Sequence, residues 1–272
     1  MKIGIIGGKG KMGKMFFDFF LNNGHEVIIS DLGTKMTNEK LVKMSDAVLF
    51  SVPIDKAVQV IASVLPFTRK EQLLMDLTSI KTPAIETMLK SDCEVLGLHP
   101  LFGPTRDFKN QTIVVCKSRE RKKSKIFVGH FKKAGMKIKE SNAEEHDRMM
   151  AMVQGMTHFN ALVLGHALKK LGTGLNDVMQ FTGPIYKIRL AMAGRILAQD
   201  AKLYADIELE NPFMDETLCE IEKSTKKLIQ IIHNKDKKEF IKYFNETGEF
   251  FADFKEESMS ITDQMIREMK NG

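Results

Sequence analysis

The chain has no tryptophan and only three tyrosines, seven prolines and three cysteines in 272 residues. Cys93, Cys116 and Cys219 are odd in number, widely spaced and never arranged as Cys-x-x-Cys, which argues against a disulfide framework and a zinc site. All three are expected as free thiols. No apolar run approaches the roughly 18 residues needed to cross a bilayer, so no membrane partner is expected. A strand pattern begins at Lys2 without the regions of a secretory signal, and a complete, cytoplasmic protein is expected. Repeats and low-complexity tracts are also missing, and no cluster has metal-ligand spacing, so no metal is expected.

The formal charge is +6, yet the lysines are dispersed along the chain. The densest run, Lys117 to Lys125, includes Glu120 and opens a helical pattern, so it reads as a solvated helix face and not as a nucleic-acid site. A basic balance suits an anionic small substrate. The 18 methionines suggest an adaptable core.

What is present is alternation. Short apolar runs at Lys2 to Ile6, Glu26 to Ser30, Ala47 to Val52, Leu73 to Asp76, Glu94 to Leu98, Thr112 to Cys116 and Lys137 to Lys139 are separated by helical patterns. That order predicts an α/β fold with a mostly parallel sheet of the Rossmann type. The first helix should run from Lys11 to Asn22, ended by Asn22-Asn23-Gly24. After Asn142 the strand signals stop. Helical patterns follow at Ala143 to Leu171, Leu175 to Phe181, Ile185 to Leu197, Ala201 to Ile207, Pro212 to His233 and Lys237 to Met269. Two domains are expected, residues 1–141 and an all-helical 142–272. Phe240, Phe244, Phe250, Phe251 and Phe254 give the helices more apolar face than one small domain needs, which predicts a homodimer.

Gly8-Lys9-Gly10-Lys11-Met12-Gly13 fits Gly-x-Gly-x-x-Gly between the first strand and the first helix, a context that predicts dinucleotide binding. Gly8 is read as the tight turn, Gly10 as the point of close approach to a pyrophosphate, and Gly13 as the helix–strand contact. Lys11 and Met12 open the helix whose positive end meets the phosphate charge. Asp31 ends the second strand 18 residues after Gly13, where a carboxylate can accept from ribose hydroxyls. NAD is therefore favoured over NADP, although Lys35 lies close enough in sequence to neutralise a 2′-phosphate. Val52-Pro53, at the end of the third strand, is expected to line the same edge, with the backbone near Ser51 and Val52 facing the cofactor.

His99 stands before Pro100 in Gly97-Leu98-His99-Pro100-Leu101-Phe102-Gly103-Pro104. A residue preceding proline avoids helical geometry, so His99 is expected where strand gives way to loop, at the edge where open α/β sheets bind ligands. Ser79, after the fourth strand, either projects into that cleft or caps a helix beginning near Thr82. Gln154 and His158 are four apart and should share one helix face. His146 lies about 120° from His158 around a regular helix and need not share its site.

These segments together resemble the prephenate dehydrogenase family, the TyrA-type enzymes. The resemblance runs through GGKGKMG at Gly7 to Gly13, DLTSIK at Asp76 to Lys81, LHPLFGP at Leu98 to Pro104, EHDRMMAMVQGMTHF at Glu145 to Phe159, and PIYKIRLAMAGRILAQDAKLYADI at Pro184 to Ile207. The pattern is most similar to the dehydrogenase half of enzymes fused to chorismate mutase. It implies a nucleotide-binding domain followed by a helical dimerisation domain, and NAD-dependent oxidative decarboxylation of prephenate in tyrosine biosynthesis. Arogenate is the alternative substrate.

The resemblance also implies roles. His99 accepts the proton of the substrate's 4-hydroxyl while hydride leaves the same carbon, and Ser79 positions His99 and the nicotinamide. His158 lines the substrate pocket, Arg195 binds a carboxylate, and Gln154, Lys187 and Tyr204 are further pocket candidates. The chain holds neither a chorismate mutase region nor a regulatory domain, so a monofunctional enzyme is expected. Thr105-Arg106-Asp107 stands where other branches carry an acidic gating residue, so the resemblance does not decide regulation by tyrosine. Two rival classes remain. A β-hydroxyacid dehydrogenase-type reductase would place a catalytic lysine on the helix that here offers His146, Gln154 and His158. A non-catalytic NAD sensor would not need His99, His158 and Arg195.

Overall fold

The computed structural model describes the backbone of residues 1–271 and side chains through residue 269. Seven strands, β1 (Lys2–Ile6), β2 (Glu26–Ser30), β3 (Ala47–Phe50), β4 (Leu73–Asp76), β5 (Glu94–Pro100), β6 (Thr112–Arg119) and β7 (Lys137–Ser141), form one sheet in the order β2-β1-β3-β4-β5-β6-β7. The helices are α1 (Lys11–Asn22), α2 (Asn38–Met44), α3 (Ile54–Val64), α4 (Thr82–Leu89), α5 (Lys122–Lys133), α6 (Ala143–Met150), α7 (Met156–Lys170), α8 (Leu175–Gln180), α9 (Pro184–Leu197), α10 (Ala201–Glu210), α11 (Met214–His233), α12 (Lys237–Phe251) and α13 (Phe254–Asn271). None of the described helices is long and apolar enough to cross a membrane.

By contact the chain divides into two compact units. The first comprises Met1–Gln154 with Lys202–Phe213, the second Gly155–Ala201 with Met214–Gly272.

In the first unit β1 to β5 run parallel, β6 turns antiparallel to β5, and β7 is parallel to β6. Alternating side chains serve opposite faces of the sheet. Ile3, Ile5, Leu49 and Met75 pack with Phe16, Phe19 and Phe20 of α1 and Phe127 and Phe131 of α5. Ile6, Val48, Phe50 and Leu74 pack on the other side with Leu41, Ile61, Ile85 and Met88 of α2, α3 and α4. Phe16, Phe19 and Phe20 fall on one stripe of α1 because they sit three and four apart. Phe16, Phe20, Phe127 and Phe131 are fully covered, and each such burial contributes about 1.5–3 kcal/mol relative to exposure. Gly24, with φ of 77°, stops α1 where Asn22-Asn23-Gly24 predicts it.

Several boundaries differ from the sequence expectation. β3 ends at Phe50, which leaves Ser51 and Val52 in the following turn. β5 continues through Pro100, so His99 lies inside the strand, opposite Val114 of the antiparallel β6, and not in the loop beyond it. The single helix expected over Ala143 to Leu171 is interrupted by a π-helical turn at Ala151–Gly155. The helix expected over Lys237 to Met269 breaks between α12 and α13, where Ala252 has φ of 41°.

The second unit is entirely helical among its described residues. Within it α7 packs on α9, α11 on α12, and α13 on both α12 and α9. Much apolar surface stays open: Phe181 is 92% exposed, Phe250 87% and Phe244 67%.

Candidate active site

Because β1 to β5 are parallel, their C-terminal ends share one edge of the first unit, the edge where such sheets bind ligands. β1 and β3 are neighbours while β2 lies on the far side of β1, which places the switch in strand order directly above the glycine loop. The sharp turn falls on Gly7, with φ of 84°, and not on Gly8 as the motif suggests. A Cβ on Gly7 would lie 2.2 Å from Ser51 O and 3.2 Å from Val52 Cγ1, so Ser51 and Val52 do line the loop. On Gly8 it would lie 2.5 Å from Ile29 Cβ, and on Gly13 2.4 Å from Gly7 O. Gly10 is freer, its nearest neighbour being Gly7 O at 3.3 Å. Lys11 and Met12 begin α1 directly after it.

Asp31 follows β2 and faces this loop. Its Oδ2 accepts from Lys9 N at 2.7 Å and its Oδ1 from Leu32 N at 2.7 Å. The backbone turn from Asp31 to Thr34 is closed by Thr34 N to Asp31 O at 3.1 Å. Close glycine backbone, a helix N-terminus and a carboxylate at the end of β2 form a cradle that fits a dinucleotide, with Asp31 available to ribose hydroxyls.

Further along the edge lies a buried polar network. Lys81 and Asp76 form an ion pair with both side chains fully covered, and Lys81 Nζ also donates to Leu98 O at 2.8 Å. That bond ties the loop after β4 to the backbone immediately before His99. Asp147 of α6 reaches the same loop: its Oδ1 accepts from Lys81 N at 2.7 Å and its Oδ2 from Thr82 N at 2.8 Å. The first turn of α4 is therefore capped by a carboxylate from another helix and not by Ser79. Asn211, just beyond α10, donates to Asp147 O at 2.9 Å and fixes that helix turn.

The candidate base completes the chain of contacts. His99 Nδ1 lies 2.9 Å from His146 Nε2, and His146 Nδ1 lies 2.8 Å from Asp147 Oδ1. His99 is 3% exposed, His146 2% and Asp147 not at all. Burial, with the nearby His146 and Lys81, holds the His99 imidazole well below the ordinary value of 6.5. Burial also lowers His146, while Asp147 works against that shift. Burial opposes ionisation of Asp147, but the His146 ring and the amides of Lys81 and Thr82 outweigh it and keep the carboxyl below its usual range.

His146 thus joins His99, a pairing that helical phase alone did not indicate. Ser79 sits half-buried in the bend before Lys81, and among the described residues it makes no hydrogen bond to His99. Gln154 lies in the π turn, with Oε1 buried and without a partner, so its expected regular phase with His158 is broken. Tyr204 is half-buried on α10 in the first unit. In the second unit His158 is buried on α7. Lys187 and Arg195 line one cavity of about 580 Å³ with Ile188, Met192, Met265 and Glu268. The structure therefore brings the two cations together, as helix spacing on α9 allows.

Comparison with known proteins identifies the family and the fold. The family model described as prephenate dehydrogenase, nucleotide-binding domain, matches residues 22–138, and that described as prephenate dehydrogenase, dimerization domain, matches residues 142–246. The chain belongs to the prephenate dehydrogenase family. It is 34% identical over 273 residues to a protein of Methanocaldococcus jannaschii named probable arogenate/prephenate dehydrogenase, with 93% of this chain and 61% of that one covered. To the T-protein of Haemophilus influenzae it is 33% identical over 272 residues, covering 98% of this chain and 71% of the relative. It therefore spans only part of either relative's length. The fold matches that of prephenate dehydrogenase from A. aeolicus, solved in complex with hydroxyphenyl propionate and NAD+, with a TM-score of 0.74, 18% identity and coverage of 96% and 98%.

The residues least visible in the sequence are Asp76, Lys81, His146 and Asp147. Their signal was present as two motifs, DLTSIK and Glu145-His146-Asp147, but their meeting is a tertiary event.

Proposed function

We propose that this chain catalyses the NAD-dependent oxidative decarboxylation of prephenate to 4-hydroxyphenylpyruvate. The observation that carries the reading is His99, a buried neutral imidazole on the ligand-binding edge whose Nδ1 is engaged by His146, which leaves Nε2 as the nitrogen to meet a substrate. Bound at Gly8, Gly10, Lys11, Met12, Gly13, Asp31, Ser51 and Val52, the dinucleotide supplies a hydride acceptor. NAD is preferred because the Asp31 carboxylate would repel a 2′-phosphate.

His99 Nε2 takes the proton of the 4-hydroxyl as the hydrogen on the same carbon leaves with its electron pair. The resulting dienone loses CO2, and the electron pair released from that bond aromatises the ring and arrives on the oxygen as a phenolate. His99 returns the borrowed proton there, so the protein ends unchanged. Ser79 orients the groups around His99. Substrate binding is assigned to Lys187 and Arg195, which supply positive charge for its two carboxylates, and to His158, Gln154 and Tyr204. A homodimer through the helical unit covers the exposed apolar faces, in keeping with the dimerization-domain match at residues 142–246.

The test is formation of reduced nicotinamide from prephenate or arogenate, each with NAD and with NADP. The highest kcat/KM is expected for prephenate with NAD. A preference for arogenate would reassign the substrate, and no turnover of either would overturn the reading.

A further inference from the structure

Hydrogen-bond polarity along the buried chain determines where each proton sits. Asp147, ionised, only accepts; it is already held by the amides of Lys81 and Thr82. The 2.8 Å contact with His146 Nδ1 therefore requires a proton on that nitrogen. Neutral His146 then presents a lone pair at Nε2, and the 2.9 Å contact to His99 requires a proton on His99 Nδ1. His99 is left with its lone pair on Nε2. A free imidazole prefers the opposite tautomer, so this one is imposed by its surroundings.

We propose that His146 and Asp147 form a positioning pair that fixes His99 with Nε2 as the proton acceptor and receives the Nδ1 proton when Nε2 becomes protonated. This rests on His99 being the base. In the forward step the substrate O–H bond breaks, an N–H bond forms at His99 Nε2, and the His99 Nδ1 proton passes to His146 Nε2. Positive charge then lies on His146, between Asp147 and His99; Lys81 opposes a charge on either ring, but only His146 has the Asp147 carboxylate in direct contact. When the phenolate forms, both protons return. The ionisable groups that act on the two rings, besides each other, are Lys81 and Asp76 beside the β4 edge and Asp147 on α6.

The test is 15N-detected tautomer analysis of the histidines in the full chain without substrate, combined with kinetics of His146→Phe and His146→Gln. Unmodified protein should show His99 and His146 both protonated at Nδ1 and bare at Nε2. His146→Phe should shift His99 toward the Nε2-protonated form and lower kcat about 10- to 100-fold with the KM for NAD unchanged. His146→Gln, whose amide oxygen can accept from His99 Nδ1, should recover part of both. If His99 in the unmodified protein carries its proton on Nε2, the proposal is wrong, and that result does not depend on any variant folding. An unchanged tautomer with kcat within about threefold in His146→Phe overturns it as well. Retention of activity by His99→Asn would instead remove the base assignment and leave the tautomer result standing.

Discussion

The two units treat their candidate functional residues in opposite ways. In the first, His99, His146, Asp147, Asp76 and Lys81 are at most 3% exposed and bonded to one another or to backbone. In the second, Lys187 and Arg195 stand on an exposed stretch of α9, in a unit whose phenylalanines face outward. Under the proposed function the contrast is a division of labour. Groups that move a proton need a set tautomer and a low dielectric, which burial and a fixed network supply. Groups that gather an anionic substrate need reach and charge, which an exposed helix supplies.

The largest effect that could break this comparison is expected from the first unit. His99→Asn should lower kcat on prephenate by about 10²- to 10⁴-fold, the usual contribution of a positioned base, with KM changed by less than about threefold. Steady-state kinetics decide it; a loss confined to KM would mean that His99 binds substrate instead of activating it.

A smaller effect concerns stability. His25, His99, His130 and His146 all lie below the ordinary value of 6.5 in the folded chain, burial being the first cause for each. The unfolded chain takes up protons at these rings as pH falls through about 6.5, while the folded chain leaves them neutral. Stability from this source is therefore complete above that pH and is lost below it, by about 1.4 kcal/mol per unit of displacement. Thermal melts from pH 8 downward should show Tm falling below about pH 6.5, before the carboxylates titrate. A Tm that stays level through this range would show that the first unit does not hold its imidazoles neutral.

The same contrast explains what was legible in the sequence. Local signals survived folding: short apolar runs became strands, Gly24 ended α1, and Gly8 to Gly13 joined β1 to α1. The errors fell where distant segments meet. Gly7 bears the positive φ because the Ser51 backbone passes against it, a proximity no local motif contains. Asp147 caps α4 from 65 residues away, and His146 reaches His99 across 47. The π turn at Ala151–Gly155 removed the regular phase by which Gln154 and His158 were put on one face and His146 was set apart, since a π turn advances differently from an α-helix. Chemistry-bearing residues were thus recognisable by type and motif, while their partners were set by tertiary packing.

The division between the units is tested most directly by Arg195→Gln, with kcat and KM for prephenate measured separately. Loss of a charge-assisted hydrogen bond of about 1.5–3 kcal/mol should raise KM roughly 10- to 150-fold while kcat stays within about threefold. A fall in kcat at unchanged KM would place Arg195 in the chemical step and contradict the account.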